Sequence, residues 1–213
     1  MINRQIITPI PDRTEIAYYA QKLFHHKGNA IEVGVWEGEF AANNLLDWKG
    51  NYWLCDAWQK RPETDAVTDK NHLNTLQWYE VQKKAINNTS FAMNRVKVIQ
   101  EFSVKAAERF EDGFFDWIYI DAMHDYQSVL DDLRAWYPKL RQGGLFSGDD
   151  YGLHEDYERI SADAFAAKCS PFGKIYKWGT VQAVNEFCIE KNLQHNVTWL
   201  NDKNNPAWYL IKS

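Results

Sequence analysis

A chain of 213 residues has room for one substantial core and is short for two, so a single domain over residues 1–213 is expected. A net charge of −5, from 29 acidic and 24 basic side chains with no basic block, excludes the polycationic face that nucleic-acid binding requires. No apolar stretch approaches membrane-spanning length, and the opening MINRQIITPIPDRTE has no apolar signal core, so no membrane partner and a cytoplasmic location are expected. Cys55, Cys169 and Cys188 are odd in number and lack CxxC spacing, which argues against a zinc site or disulfide framework.

Apolar runs then alternate with helical patterns, the signature of βαβ units around a mostly parallel sheet. Residues 30–36 (AIEVGVW) read as the first strand, 39–47 as a helix, and 52–56 (YWLCD) as a strand ending in a carboxylate. A long polar connection, 59–74, leads to a helix over 75–87, a third strand over 96–100 and a short helix over 104–110. Residues 115–121 (FDWIYID) form the fourth strand. The spacing of Val129, Leu130, Leu133, Trp136, Tyr137 and Leu140 predicts a helix over 126–140, with Asp125 at its N-cap. The fifth strand, 143–149, is entered through a Gly-Gly turn. After an irregular aromatic stretch, 151–178, come a helix over 180–190 and an edge hairpin from 197–200 and 207–211. The expected fold is an α/β, Rossmann-like three-layer sandwich, its sheet mostly parallel with an antiparallel C-terminal hairpin. Right-handed crossovers put the strand C-termini, and the site, on one edge. The two long connections, 59–74 and 151–178, are expected to form a lid there.

The residues at those strand ends carry the chemistry. Glu32-Val-Gly34-Val-Trp-Glu-Gly38 runs from a strand into a helix; its glycines let backbone approach a ligand, and the helix start offers N–H donors. Asp56, roughly twenty residues later at the end of the second strand, suits the two hydroxyls of a ribose.

These motifs resemble those of the class I S-adenosylmethionine-dependent methyltransferases, and the likeness covers nearly the whole chain. IEVGVWEGEF is similar to their first motif, CDAW (Asp56, Ala57, Trp58) to the second, and QEFS to the turn after the third strand. FDWIYIDAMHDYQSVLDDLRAWYPKLRQGGLFSGDDY most resembles the subgroup called methyltransferase domain 24, whose relatives include macrocin-type sugar O-methyltransferases. The resemblance implies that Glu32 and Gly34 meet the methionine end of the donor, that Asp56 holds its ribose and that the Phe102–Ser103 turn lies near its adenine, with Gly38, Ala57, Trp58 and Asp121 also among the donor-binding residues. Trp36 stands where the family's G-x-G-x-G has its middle glycine, so the loop need not follow the usual path.

Asp121 ends the fourth strand and Asp149 and Asp150 end the fifth; neighbouring strand ends lie about 5 Å apart, so the three acids can converge. Clustered carboxylates repel unless protonated or bridged, and a hard cation such as Mg²⁺ or Mn²⁺ suits an oxygen-only set. The arrangement is similar to that of metal-dependent catechol-type O-methyltransferases, though Asp149 and Asp150 are equally able to cap backbone N–H groups. His124, three residues past Asp121, stands where that family has a lysine associated with deprotonating the acceptor. An imidazole does that work near neutrality, with helix capping as the other role open to it.

The function these residues point to is O-methyl transfer to a sugar or small-molecule hydroxyl, with stacking faces from Trp58, Tyr151, Tyr157 and Trp178. A phenolic acceptor, a metal-dependent hydroxylase using His72, His124 and His154, and a non-catalytic nucleoside-binding module are the other readings of the same fold. Oligomeric state is not legible.

Overall fold

Strand residues that are apolar on both faces need cover on both sides, and the helices between them supply it. The computed structural model describes residues 9–25, 27–60, 73–151, 179–198 and 206–213. In chain order it has α1 (Ile16–Phe24), β1 (Asn29–Val33), α2 (Glu39–Asp47), β2 (Asn51–Asp56), α3 (Thr75–Asn88), β3 (Val96–Gln100) and α4 (Ser103–Ala107). There follow β4 (Phe115–Ile120), α5 (Tyr126–Trp136), β5 (Leu140–Gly148), α6 (Thr180–Lys191), β6 (Asn196–Val197) and β7 (Trp208–Ile211).

The seven strands form one sheet in the order β3-β2-β1-β4-β5-β7-β6, parallel except for the antiparallel β5–β7 and β7–β6 pairings. One face packs against α1, α2 and α3 through Ile16, Leu45, Trp48, Val81, Tyr52, Leu54 and Trp117. The other packs against α4, α5 and α6 through Ala106, Leu133, Trp136, Phe187, Ile31, Ile118 and Phe146. The three-layer sandwich expected from the sequence is the observed fold. From β1 the chain winds outward to β2 and β3, then returns to β4 on the opposite side, so strand direction of travel reverses between β1 and β4. A crevice opens beyond the strand ends at such a point.

Several boundaries differ from expectation for visible reasons. β1 ends at Val33, because Gly34 (φ +89°) and Trp36 (φ +54°) turn the chain out of the strand. The helical period of α5 stops at Trp136, and a 3₁₀ turn over Tyr137–Lys139, holding Pro138, leads straight into β5 at Leu140. The Gly-Gly pair therefore lies inside β5, near a register irregularity against β4 between Phe115 and Trp117, and does not form the strand's entrance. α1 was not expected, although Asp12, whose side chain accepts from the Thr14 N–H, marks its approach. Cys55 and Cys188 are buried free thiols, and Cys169 lies outside the described residues. Among the described residues no helix is long and apolar enough to cross a membrane.

Candidate active site

The β1–α2 turn is shaped by close approach. Gly34 donates to the Cys55 carbonyl at 2.8 Å, while Asp121 donates to Val33 at 2.7 Å, which locks the β1 tip between its two neighbours. A Cβ on Gly34 would lie 1.9 Å from the Asp121 carbonyl oxygen, so no other residue fits. Gly38 (φ +76°) occupies the N-cap of α2. Trp36 takes a left-handed conformation without being glycine, at a cost of roughly 1–2 kcal/mol. The turn thus keeps a backbone suited to a middle glycine while carrying an indole, which packs edge-on against Trp78 at 5.8 Å.

Asp56 holds this turn. Its Oδ2 accepts the Val35 and Trp36 N–H groups, both at 2.9 Å, and its Oδ1 accepts the Trp58 N–H at 2.8 Å. A carboxylate has about four acceptor positions, so three are committed to backbone and one is left for a ribose hydroxyl. Trp58 also donates its Nε1–H to the Trp36 carbonyl at 2.9 Å and is buried in the core, so it offers no stacking face. Tyr151 is likewise buried, its hydroxyl donating to Asn185 at 2.8 Å and lying 2.8 Å from His195 Nε2. Tyr157, Trp178, His72, His154 and most of both expected lid segments lie outside the described residues.

Ala57 follows Asp56 out of β2, and Phe102 sits half-buried at the N-cap of α4. The Ser103 hydroxyl is turned into the core, donating to Asp132 at 2.5 Å and accepting from Trp136 Nε1 at 2.9 Å.

Along the sheet, Glu32, Tyr119 and Ser147 are register partners and share a face. Glu32 is buried, its Oε2 accepting the Tyr52 hydroxyl at 2.6 Å and Asn44 Nδ2 at 3.4 Å. Burial pushes its carboxyl up from 4.5 to about 8. The Tyr119 hydroxyl is buried with no hydrogen-bond partner among the described residues, and burial and the charges of Asp149 and Asp121 push its ionisation upward. Leaving such a group unpaired costs about 1–3 kcal/mol, which a polar ligand atom would offset.

Two residues further along the same face stand Asp121 and Asp149. Burial, then the charges of Asp149, Asp150 and Glu32, raises the Asp121 carboxyl well above its ordinary range. Asp149 is raised to about 7 by burial and by Asp150, against the lowering influence of Arg13. The three expected cation ligands do not form one set. Asp149 pairs through Oδ2 with Arg13 and accepts the Asp150 N–H on Oδ1 at 2.9 Å. Asp150, at φ +57°, lies with Oδ2 2.7 Å from His124 Nδ1. The group brought together among the described residues is Asp121, His124 and Asp150, whose donor atoms all lie within 4.8 Å of one another. One divalent cation fits that spacing, but a nitrogen replaces one of the expected oxygens. Asp125 caps α5 by accepting the Ser128 N–H at 3.0 Å, as expected, and Gly179 donates to the His124 carbonyl at 2.6 Å.

Arg13, Tyr119, Tyr52 and Asn44 were not singled out in the sequence. Strand tyrosines look like core residues, and nothing local links Arg13 to an acid 136 positions away.

Comparison with known proteins agrees with this fold. An O-methyltransferase family protein from Burkholderia thailandensis superposes with a TM-score of 0.62 at 12% identity, over 94% of this chain and 55% of that one. The O-methyltransferase from Bacillus cereus, in complex with S-adenosylhomocysteine, gives 0.55 at 15% identity, over 92% and 80%. Aeropyrum pernix fibrillarin, with natively bound S-adenosylmethionine, gives 0.52 at 14%, over 91% and 72%. At these identities the likeness shows the fold alone, one that these proteins share with this chain. No curated protein sequence matches the chain. Residues 31–151 match the model of a methyltransferase domain, and the chain belongs to that family, methyltransferase domain 24.

Proposed function

We propose that the protein transfers a methyl group from S-adenosylmethionine to a hydroxyl of a sugar or other small molecule. The observation that carries the oxygen-directed part is the His124–Asp150 pair at the β4 and β5 tips, beside the glycine turn. Nδ1 is the ring nitrogen that faces the Asp150 carboxyl, the arrangement that puts the proton of a neutral imidazole on Nδ1 and its lone pair on Nε2. His124 then takes the acceptor's proton on Nε2, and Asp150 stabilises the imidazolium that forms.

S-adenosylmethionine supplies the electrophilic methyl on its sulfonium. Gly34 and Gly38 let the turn pack closely on Asp121 and on Ala85 of α3, and the turn they shape would receive its amino-acid end, with Glu32, the orphaned Tyr119 hydroxyl and Asp121 as the polar groups there. Asp56 keeps the turn open at the ribose, flanked by Ala57, with Phe102 at the adenine. Most of the acceleration comes from holding donor and acceptor in line in a preorganised polar site. A cation such as Mg²⁺ or Mn²⁺ would be held by Asp121 and Asp150 and would supply Lewis-acid support to the acceptor oxygen; with its proton on Nδ1, His124 would serve as the base and stay outside that ligand set. The acid-lined edge favours a hydroxyl-rich acceptor, and a small molecule or glycan is the partner, with neither nucleic acid nor membrane involved.

Calorimetry with S-adenosylhomocysteine, followed by methyl transfer to a panel of sugars and catechols, tests this. Binding in the micromolar range and methylated sugar are expected. Binding of NAD(H) with no heat from S-adenosylhomocysteine would overturn the donor, and methylation of catechols alone would overturn the acceptor class.

A further inference from the structure

Asp149 stands where a third oxygen ligand was expected, yet both of its oxygens are engaged by the chain: Oδ2 by Arg13 and Oδ1 by the Asp150 N–H. Arg13 is delivered by an N-terminal turn that the fold itself pins. Ile10 is buried and donates its N–H to Tyr209 at 3.0 Å; Asp12 accepts from the N–H and hydroxyl of Thr14; and Asn43 of α2 donates to the Thr14 carbonyl at 2.9 Å. The guanidinium is therefore a fixed charge over the β5 tip. Beside it the donors of Asp121, His124 and Asp150 converge, and the orphaned Tyr119 hydroxyl is flanked by Asp149 and Asp121.

We propose that Arg13 governs how strongly this site takes a divalent cation, by holding Asp149 out of the ligand set and adding a positive charge next to it. Without the guanidinium, Asp149 is released toward Asp121 and Asp150, and three carboxylates face the cation with the Arg13 counter-charge removed. Arg13 is a positioning residue, and its loss strengthens metal binding. A lysine keeps the charge, so Arg13→Lys stays near wild type. The inference does not depend on what the enzyme methylates.

The probe is Mn²⁺ alone, titrated into the full chain and followed by the electron-paramagnetic signal of the free ion. Arg13→Gln, and Arg13→Met with an apolar stem of similar reach, are expected to bind Mn²⁺ at least tenfold more tightly than wild type. Arg13→Lys should stay within about threefold of it. In Arg13→Gln/Asp149→Asn the formal charge returns to the wild-type value and affinity falls back within about threefold, which assigns the gain to Asp149. Thermal melts confirm folding, and Met stands in should Gln fail to fold. Affinity equal to or below wild type in the folded Arg13 variants overturns the proposal. So does a gain that persists in the double variant, or an absence of Mn²⁺ binding in all of them. S-adenosylhomocysteine binding measured on the same samples tests the donor separately, so either idea can fail alone.

Discussion

Replacing Glu32 by glutamine isolates the energetic consequence of a carboxyl shut inside the sheet. Its carboxyl is raised from 4.5 to about 8 by burial, partly opposed by the bonds from Tyr52 and Asn44. The folded protein therefore keeps this proton up to about pH 8, whereas the unfolded chain releases it near 4.5. Between those values the folded state binds more protons, so stability falls as pH rises. The contribution is fully present below about pH 4.5 and lost above about pH 8. At about 1.4 kcal/mol per pH unit, the span corresponds to on the order of 5 kcal/mol. Glutamine has the shape of the neutral acid, and its carbonyl accepts the Tyr52 hydroxyl, but it does not titrate. Urea unfolding of wild type and Glu32→Gln at intervals between about pH 5 and pH 8 should show the wild type losing stability relative to the variant by several kcal/mol. Parallel stability curves across that range would refute a buried, proton-retaining Glu32.

Gly34→Ala drives a Cβ into the Asp121 backbone at a positive φ; it should destabilise the fold by more than about 2 kcal/mol and abolish donor binding, and an unchanged melt would contradict the packing described. Asp56→Asn weakens charge-assisted bonds to three backbone N–H groups, so the ligand-free protein should lose about 1–3 kcal/mol in denaturant unfolding. An Asp56 serving only a ribose would leave that stability untouched. His124→Ala should lower kcat roughly 10²–10⁴-fold with little change in S-adenosylhomocysteine affinity, and the wild-type rate should rise with pH through one ionisation. A variant nearly as fast as wild type, or a flat pH profile, would remove His124 from the base role.

The fold was legible because its signals are local. β3 and α2 fall at the expected positions, and the carboxylates follow from reading where each strand must stop. Errors arise where backbone and side-chain pattern part company. Val35 and Trp36 continue the apolar run of β1, but Gly34 has already turned the chain, and Leu140 continues the period of α5 although it begins a strand. The site was legible in composition but not in connectivity. Its acids could be named, yet which acid takes which cation depends on a distant N-terminal turn and on a backbone, at Asp150, that points neighbouring carboxylates in different directions. The proposed stacking role of Trp58 and Tyr151 failed for a similar reason: polar edges on large rings were satisfied internally.

The chain leaves the site at Tyr151, whose N–H bonds the Pro206 carbonyl, and returns at Gly179, whose N–H bonds the carbonyl of His124. Tyr151 and Gly179 are thus soldered to the scaffold on either side of the His124–Asp150 pair. A substitution that shifts Gly179 or Pro206 would therefore reach the His124–Asp150 pair through the backbone alone, without touching either side chain.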